Sequence, residues 1–383
     1  MNNYQDWADE VIEKIQKKME WVSEKNKNKI PHTTDEDGNY DDRSVPPRPG
    51  QKGGGIGSWT NGFWGGLMWL LYQDTRDIRY AEIARVSEDL LKECFVKMFE
   101  MNHDLGFMYM LTAVADYRLT GNEKGRRMGL HAANLLAGRF NPVGRFIRAW
   151  NGSSENDTRG WAIIDCMMNL SILYWASEET NDPRFRQIAM MHADTTMENF
   201  VRPDGSVDHI IEFDPETGEK ICSHGGQGYE IGSSWTRGQG WALYGFMISY
   251  LHTGKQEYLD VAKRIANYCI TNIPENNIIP VDFRQPSEPA YEDSCGACII
   301  AGGLLELAKC MENAEKEVYE RGAYRILNTI YEKRSDWSRN CDAIVQNCSG
   351  SYHEELHHIT MCYADFYFAE AIYKIKGIGR FLW

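Results

Sequence analysis

Asp165 stands inside the run Trp161-Ala-Ile-Ile-Asp-Cys-Met-Met-Asn-Leu-Ser-Ile-Leu-Tyr-Trp175, a poor setting for a carboxylate. Burying an unpaired carboxylate is costly, and desolvation favours its protonated form, so the residue is a candidate general acid. If the run is one helix from about residue 159, Asp165 lies about two turns in, past the capping position that Asp157 or Thr158 can fill. The alternative is a structural Asp bonded to the backbone of a neighbouring helix. Asp104, in Asn102-His-Asp-Leu-Gly-Phe107, reads equally as a helix cap or as a second acid, with His103 beside it. Arg237 falls in the first turn of a helical pattern opening near Ser234. There a guanidinium and free backbone N–H groups form a cradle for a carboxylate or sulfate, unless the arginine is paired with a nearby acid. His209 and Gln227 sit on the segment leading to that helix.

Aromatic rings accompany these polar groups. Ser58-Trp-Thr-Asn-Gly-Phe-Trp64, Asn102 to Phe107, Asp157-Thr-Arg-Gly-Trp161, Ser234-Trp-Thr-Arg-Gly-Gln-Gly-Trp241, Tyr291-Glu-Asp-Ser294 and His357-His-Ile-Thr360 each precede or open a helical pattern. A sugar stacks its C–H face on an indole and pairs its hydroxyls with polar side chains, so the clusters point to carbohydrate. Any single tryptophan can instead be packing where helices converge. Six clusters at equivalent places favour a site, with Trp59, Trp64, Trp150 and Trp241 as candidate sugar contacts.

The elements that must position these residues are helical. A recurring punctuation, Thr75-Arg-Asp-Ile-Arg-Tyr80, Thr120-Gly-Asn-Glu, Thr180-Asn-Asp-Pro-Arg-Phe185 and Thr253-Gly-Lys-Gln-Glu-Tyr258, separates paired helical patterns. Apolar recurrence at three and four residues predicts helices over 5–25, 59–73, 78–98, 103–119, 123–138, 159–179, 183–200, 235–252, 256–272, 292–311, 315–334 and 358–376. Those beginning at 59, 103, 159, 235, 292 and 358 are apolar or small all round; the others carry a charged face. Six inner and six outer helices predict an all-α (α/α)6 barrel forming a single domain over 1–383. The stretch from about 30 to 58, with Pro31, Pro46, Pro47, Pro49 and Gly53-Gly-Gly-Ile-Gly57, reads as a long loop. Loops 139–158, 201–234 and 273–291 all lead into inner helices and are expected to wall a cleft at one end. No alternating strand of useful length is expected outside the loops.

Composition sets limits. The net charge is −14 and no basic stripe is visible, which argues against nucleic acid. No apolar run approaches the length of a membrane span, and the opening residues lack a signal pattern, so a cytoplasmic protein is expected. The ten cysteines lie mostly in apolar helical segments and are expected to be reduced thiols. Cys295-Gly-Ala-Cys298 is a lone pair at helical spacing and reads as packing rather than a metal site.

In order and spacing from about Trp59 to Ile375, the segments Asn102 to Phe107, Ile163 to Leu170, Asp204 to His209, Gln227, Ser234 to Tyr244 and Asp365 to Glu370 resemble the unsaturated glucuronyl hydrolases of glycoside hydrolase family 88. The resemblance implies an enzyme that takes lyase-generated oligosaccharides, typically from glycosaminoglycans, and removes the 4,5-unsaturated uronic acid at the non-reducing end. It implies that Asp165 protonates C4 of the enol ether and then assists water at C5, and that Asp104 orients the substrate and stabilises positive charge. His209 and Gln227 would lie near the double bond, Arg237 and Trp241 in the uronate-binding segment, and Trp59 or Trp64 under the sugar. No metal or organic cofactor is implied, and the chain is expected to act as a monomer or homodimer. Some family members that prefer sulfated substrates carry two serines and a lysine near the last inner helix; here the region reads Cys348-Ser-Gly-Ser-Tyr-His-Glu-Glu-Leu356. An unsaturated rhamnogalacturonyl hydrolase acting on pectin fragments, an ordinary inverting glycosidase and a non-catalytic sugar-binding barrel are the competing readings.

Overall fold

Each recurring threonine ends one helix and shapes the turn into the next. Thr75, Thr120, Thr180 and Thr253 donate their hydroxyls to carbonyls four residues back. The following residues, Arg76, Gly121, Asn181 and Gly254, take the left-handed conformation that stops a helix. In three turns the next N-cap is then filled from the sequence, with Asp77, Asn122 and Asp182 accepting from the backbone N–H two residues on. Short turns of this kind leave no room for a site and bind each inner helix to the outer helix after it.

The computed structural model describes residues 2–46, 55–96, 101–152 and 157–383. Pro47, Pro49, Gly53 and Gly54 of the predicted loop, and residues 97 and 98 of the predicted 78–98 helix, lie outside them. Among the described residues, outer helices Asn2–Lys25, Ile78–Leu91, Glu123–Ala137, Pro183–Asn199, Gln256–Asn272 and Asn313–Lys333 surround an inner ring. The inner ring comprises Phe63–Thr75 with a preceding 3-10 turn, the broken helix from Leu105 to Thr120, the broken helix from Cys166 to Thr180, Thr236–Thr253, Ser294–Lys309 and Cys362–Lys376. Neighbouring inner helices touch in chain order and the last packs on the first, closing the (α/α)6 barrel.

Large rings fill the axis. Phe63 lies 5.4 Å from Phe107 and 5.5 Å from Tyr367, while Trp241 lies 5.1 Å from Phe107 and 5.6 Å from Tyr367, so four inner helices meet at one aromatic cluster. Phe63, Phe107, Trp241 and Tyr367 are fully buried; burial of side chains this large contributes about 1.5–3 kcal/mol each. This cluster is the floor beneath the inner-helix openings. No helix of the described residues is long and apolar enough to cross a membrane.

Sheet structure appears where the sequence predicts helix or loop. Residues 161–163, expected to open the 159–179 helix, form strand Trp161–Ile163, which pairs antiparallel with Ile210–Phe213, itself paired with Lys220–His224. The helix starts only at Cys166. Asp165 is therefore not two turns inside a helix but the residue at its N-terminus. Residues 103 and 104 likewise precede the helix, which begins at Leu105 and contains a π-helical turn at Met110–Val114. Residues 358–361 precede the last inner helix and include the bridge of Ile359 to Cys348.

Candidate active site

Strand Trp161–Ile163 delivers Asp165 to the barrel mouth: Ile164 N–H donates to the His209 carbonyl, and the chain then turns into Cys166–Asn169. Asp165 does not use its side chain as a cap. It is 9% exposed, and its Oδ2 is buried without a hydrogen-bond partner. Facing it at 3.5 Å is Nε2 of buried His209, also unpartnered. His209 Nδ1 accepts from the Gln227 backbone N–H at 2.9 Å, so the neutral ring carries its proton on Nε2, towards Asp165. The His209 ring leans on Trp235 at 4.2 Å.

The turn opposite His209 requires glycine. Gly226 has φ +57°, and a Cβ there would lie 2.0 Å from His209 Nδ1. The glycine lets the backbone close on the imidazole and presents Gln227 N–H to it. The Gln227 side chain turns away to donate to the Gly350 carbonyl, and the Gln227 backbone carbonyl accepts from Tyr352 N–H.

Asp104 is 5% exposed and sits beside His103, whose Nε2 is 3.1 Å from Asp104 Oδ1 and whose Nδ1 is 2.9 Å from the Ala149 carbonyl. Both acceptors suit the protonated ring. Burial opposes that charge, but Asp104, by its charge and hydrogen bond, together with Asp165 outweighs it and holds the His103 pKa above the ordinary value. For a histidine whose folded pKa is raised, the stabilisation is fully present below the unfolded pKa of about 6.5 and is lost as pH rises through the folded value. The gap in melting temperature between wild type and His103→Gln is therefore expected to be widest under mildly acidic conditions and to narrow as pH rises. A gap constant with pH would show that His103 is neutral in the fold.

Asn169 joins the two acidic segments. Its side-chain oxygen accepts from Phe107 N–H at 2.7 Å and its amide reaches the Asp165 carbonyl at 3.3 Å. Gly106 makes this approach possible, since a Cβ would meet Asn169 Cα at 2.5 Å. The amide thereby ties the segment carrying Asp104 to the one carrying Asp165. In the sequence Asn169 stands out only as part of the Ile163 to Leu170 segment, because nothing local signals a bond across 62 residues of chain.

The aromatic candidates separate by depth. Trp59 is partly buried and packs on Tyr363 at 4.9 Å, so its remaining surface is available at the mouth. Trp64 and Trp241 are fully buried, Trp64 against Tyr40 and Trp241 in the floor, and neither presents a free face. Trp150 is partly buried, edge-on to His103 at 5.9 Å and to Trp161 at 6.1 Å, forming a wall beside Asp104.

Arg237 is also interior, at 1% exposure. It pairs with buried Asp293 at 3.2 Å and donates to the carbonyls of Ser349 and Gly350 and to the Tyr363 hydroxyl. Of the two readings from sequence, the ion pair is the arrangement present. Asp293 was visible in the Tyr291 to Ser294 cluster, but its pairing with a helix some sixty residues earlier was not. A cavity of about 680 Å³ lies at the opposite end, among Leu305, Lys309, Tyr324 and Lys374. The buried unpartnered acid and imidazole, not that volume, locate the candidate site.

The chain matches the family model described as Glycosyl Hydrolase Family 88 over residues 7–383. It is 34% identical over 325 residues to the unsaturated glucuronyl hydrolase of Bacillus sp. (strain GL1), covering 83% of this chain and 86% of that one. Similarity to the unsaturated chondroitin disaccharide hydrolase of Streptococcus agalactiae serotype III (strain NEM316) is 34% over 283 residues, 73% of this chain and 71% of the other. The crystal structure of the Bacillus sp. GL1 unsaturated glucuronyl hydrolase matches with a TM-score of 0.88 at 30% identity, covering 97% of both chains.

Proposed function

The chain belongs to glycosyl hydrolase family 88 and is a glycoside hydrolase, and we propose that it removes the 4,5-unsaturated uronic acid from the non-reducing end of lyase-generated glycosaminoglycan oligosaccharides. The observation that carries this reading is the buried, unpartnered Asp165 Oδ2 facing His209 Nε2. A carboxyl group with one oxygen free where the inner helices open has the chemistry to exchange a proton with a substrate atom.

In this reading the Asp165 carboxylic acid protonates C4 of the ring alkene. The positive charge is shared between C5 and the ring oxygen. The resulting carboxylate, drawn to His209 Nε2–H, then takes a proton from water as its oxygen adds to C5, which restores the acid. The hemiketal opens and expels the rest of the sugar chain. Asp104 orients the substrate and stabilises the developing charge, with His103 and Trp150 shaping that side. Trp59 stacks on the sugar. Gln227 acts near the double bond through the turn that positions His209, and Arg237 and Trp241 act from beneath. The whole 1–383 barrel is the proposed catalytic unit, working as a monomer or homodimer.

Glu354 and Glu355 are exposed on the segment after Gly350, where an anionic sulfate would be repelled. Unsulfated disaccharides are thus the preferred substrates in this reading. The test follows loss of the near-ultraviolet absorbance of the conjugated alkene with unsaturated hyaluronan, chondroitin, 6-sulfated chondroitin and heparin disaccharides. Turnover is expected with the first two, and kcat/KM about 10-fold lower for a sulfated counterpart, a difference of about 1.4 kcal/mol. Turnover confined to an unsaturated rhamnogalacturonan disaccharide would replace the proposed substrate class, and no turnover of any would remove the hydration reading.

A further inference from the structure

The hairpin of strands Ile210–Phe213 and Lys220–His224 carries three side chains that the hydration chemistry does not use. Its register sets Glu212 opposite Cys222, and His224 is two residues beyond Cys222. Successive side chains alternate across a strand, so all three project from one face. Cys222 Sγ lies 3.5 Å from Glu212 Oε2 and 3.6 Å from His224 Nε2, and His224 Nε2 lies 2.9 Å from the same Glu212 oxygen.

These separations resemble the edges of a coordination tetrahedron. With ordinary bond lengths, zinc held by one sulfur, one imidazole nitrogen and one carboxylate oxygen sets its ligand atoms about 3.6 Å (S to N), about 3.6 Å (S to O) and about 3.4 Å (N to O) apart. Two of the three distances are already in place. The third is closed by a hydrogen bond that an ion would replace, opening it by about 0.5 Å.

We propose that Glu212, Cys222 and His224 bind one thiophilic divalent cation of the zinc class, with the fourth position open to water. Two further observations support it. The His224 ring stacks on Trp161 at 4.3 Å and 24°, which fixes its plane and directs Nε2 at the other two donors. Cys222 is the one exposed thiol of the ten cysteines; the rest are buried or half-buried. On binding, the Cys222 thiol proton leaves to solvent and the His224 proton moves from Nε2 to Nδ1, so that sulfur, nitrogen and oxygen each donate a pair to the ion with no change of redox state. The site is absent from any spacing rule because its ligands come from two strands, Glu212 standing ten residues before Cys222. The ion would fasten the two strands whose ends continue into His209 and the Gly225 to Gly228 turn.

The experiment is a Co²⁺ titration of the full chain, kept reduced with a phosphine, with Zn²⁺ as competitor. One equivalent is expected to produce a thiolate-to-cobalt charge-transfer band with ligand-field bands of tetrahedral intensity, both bleached by one equivalent of Zn²⁺. Cys222→Ser should abolish the charge-transfer band. Cys222→Ser and Glu212→Gln should each weaken Zn²⁺ binding at least about 100-fold, since even outer partners of metal ligands cost 10- to 100-fold. Both positions reach solvent, so the variants are expected to fold, which circular dichroism would check. No charge-transfer band in the wild type, or Zn²⁺ affinity unchanged in the two variants, would overturn the proposal.

Discussion

Asp165→Asn is expected to lower kcat for loss of the unsaturated uronyl absorbance by about 10³- to 10⁴-fold, with KM changed only a few-fold. Asparagine has the same number of heavy atoms, so packing against the barrel mouth is kept and only proton transfer is lost. Binding of the ground state rests on other groups, which is why the loss should fall on kcat. Stability provides the control. Asp165 Oδ2 has no hydrogen-bond partner and is buried, and replacing the carboxyl with an amide of the same shape, whose oxygen can still face His209 Nε2–H, leaves the melting temperature close to that of the wild type. A variant that keeps more than about a tenth of wild-type kcat would move the acid role elsewhere, and Asp104→Asn would then be the next measurement.

The same residue shows how far sequence reaches. The expectation that Asp165 sits deep in a helix was mistaken, because the four residues Trp161 to Ile164 are too short an apolar run for periodicity to separate strand from helix. Their partner strand, Ile210–Phe213, is non-local and leaves no mark nearby. That Asp165 is buried with one oxygen unpartnered does not depend on that error, since the cost of a buried carboxylate depends on what surrounds it and not on the backbone that delivers it. The hairpin turns were legible for the opposite reason. Threonine, a left-handed residue and an N-cap act within a few positions of each other, so their physics is written in consecutive letters. Residue type alone does not set depth: Trp59 reaches the mouth from a 3-10 turn, whereas Trp64, one turn along, packs inward on Tyr40.

Arg237 brings the largest structural prediction. Arg237→Met leaves buried Asp293 without its counter-charge and strips donors from the Ser349 and Gly350 carbonyls. Removing one partner of a buried ion pair costs about 3–5 kcal/mol, a large share of a typical folding free energy. Burial already pushes the Asp293 pKa up, with Arg237 the main influence holding it down. Without the arginine the folded state should bind a proton more readily than the unfolded chain, whose aspartate titrates near about 3.9. Stability then falls as pH rises above that value, so the deficit of Arg237→Met grows from acid towards neutral pH. Asp293→Asn on the same background removes the uncompensated charge, and the double variant should recover part of the loss in urea denaturation midpoint. Arg237→Lys keeps the charge but not the fork, and is expected to fall between. The opposite pattern, an unchanged midpoint with KM raised more than about 10-fold, would mean that Arg237 leaves Asp293 to grip the uronate of the substrate. The two readings that sequence alone left level are separated by whether the arginine's removal is felt first by the fold or by the ligand.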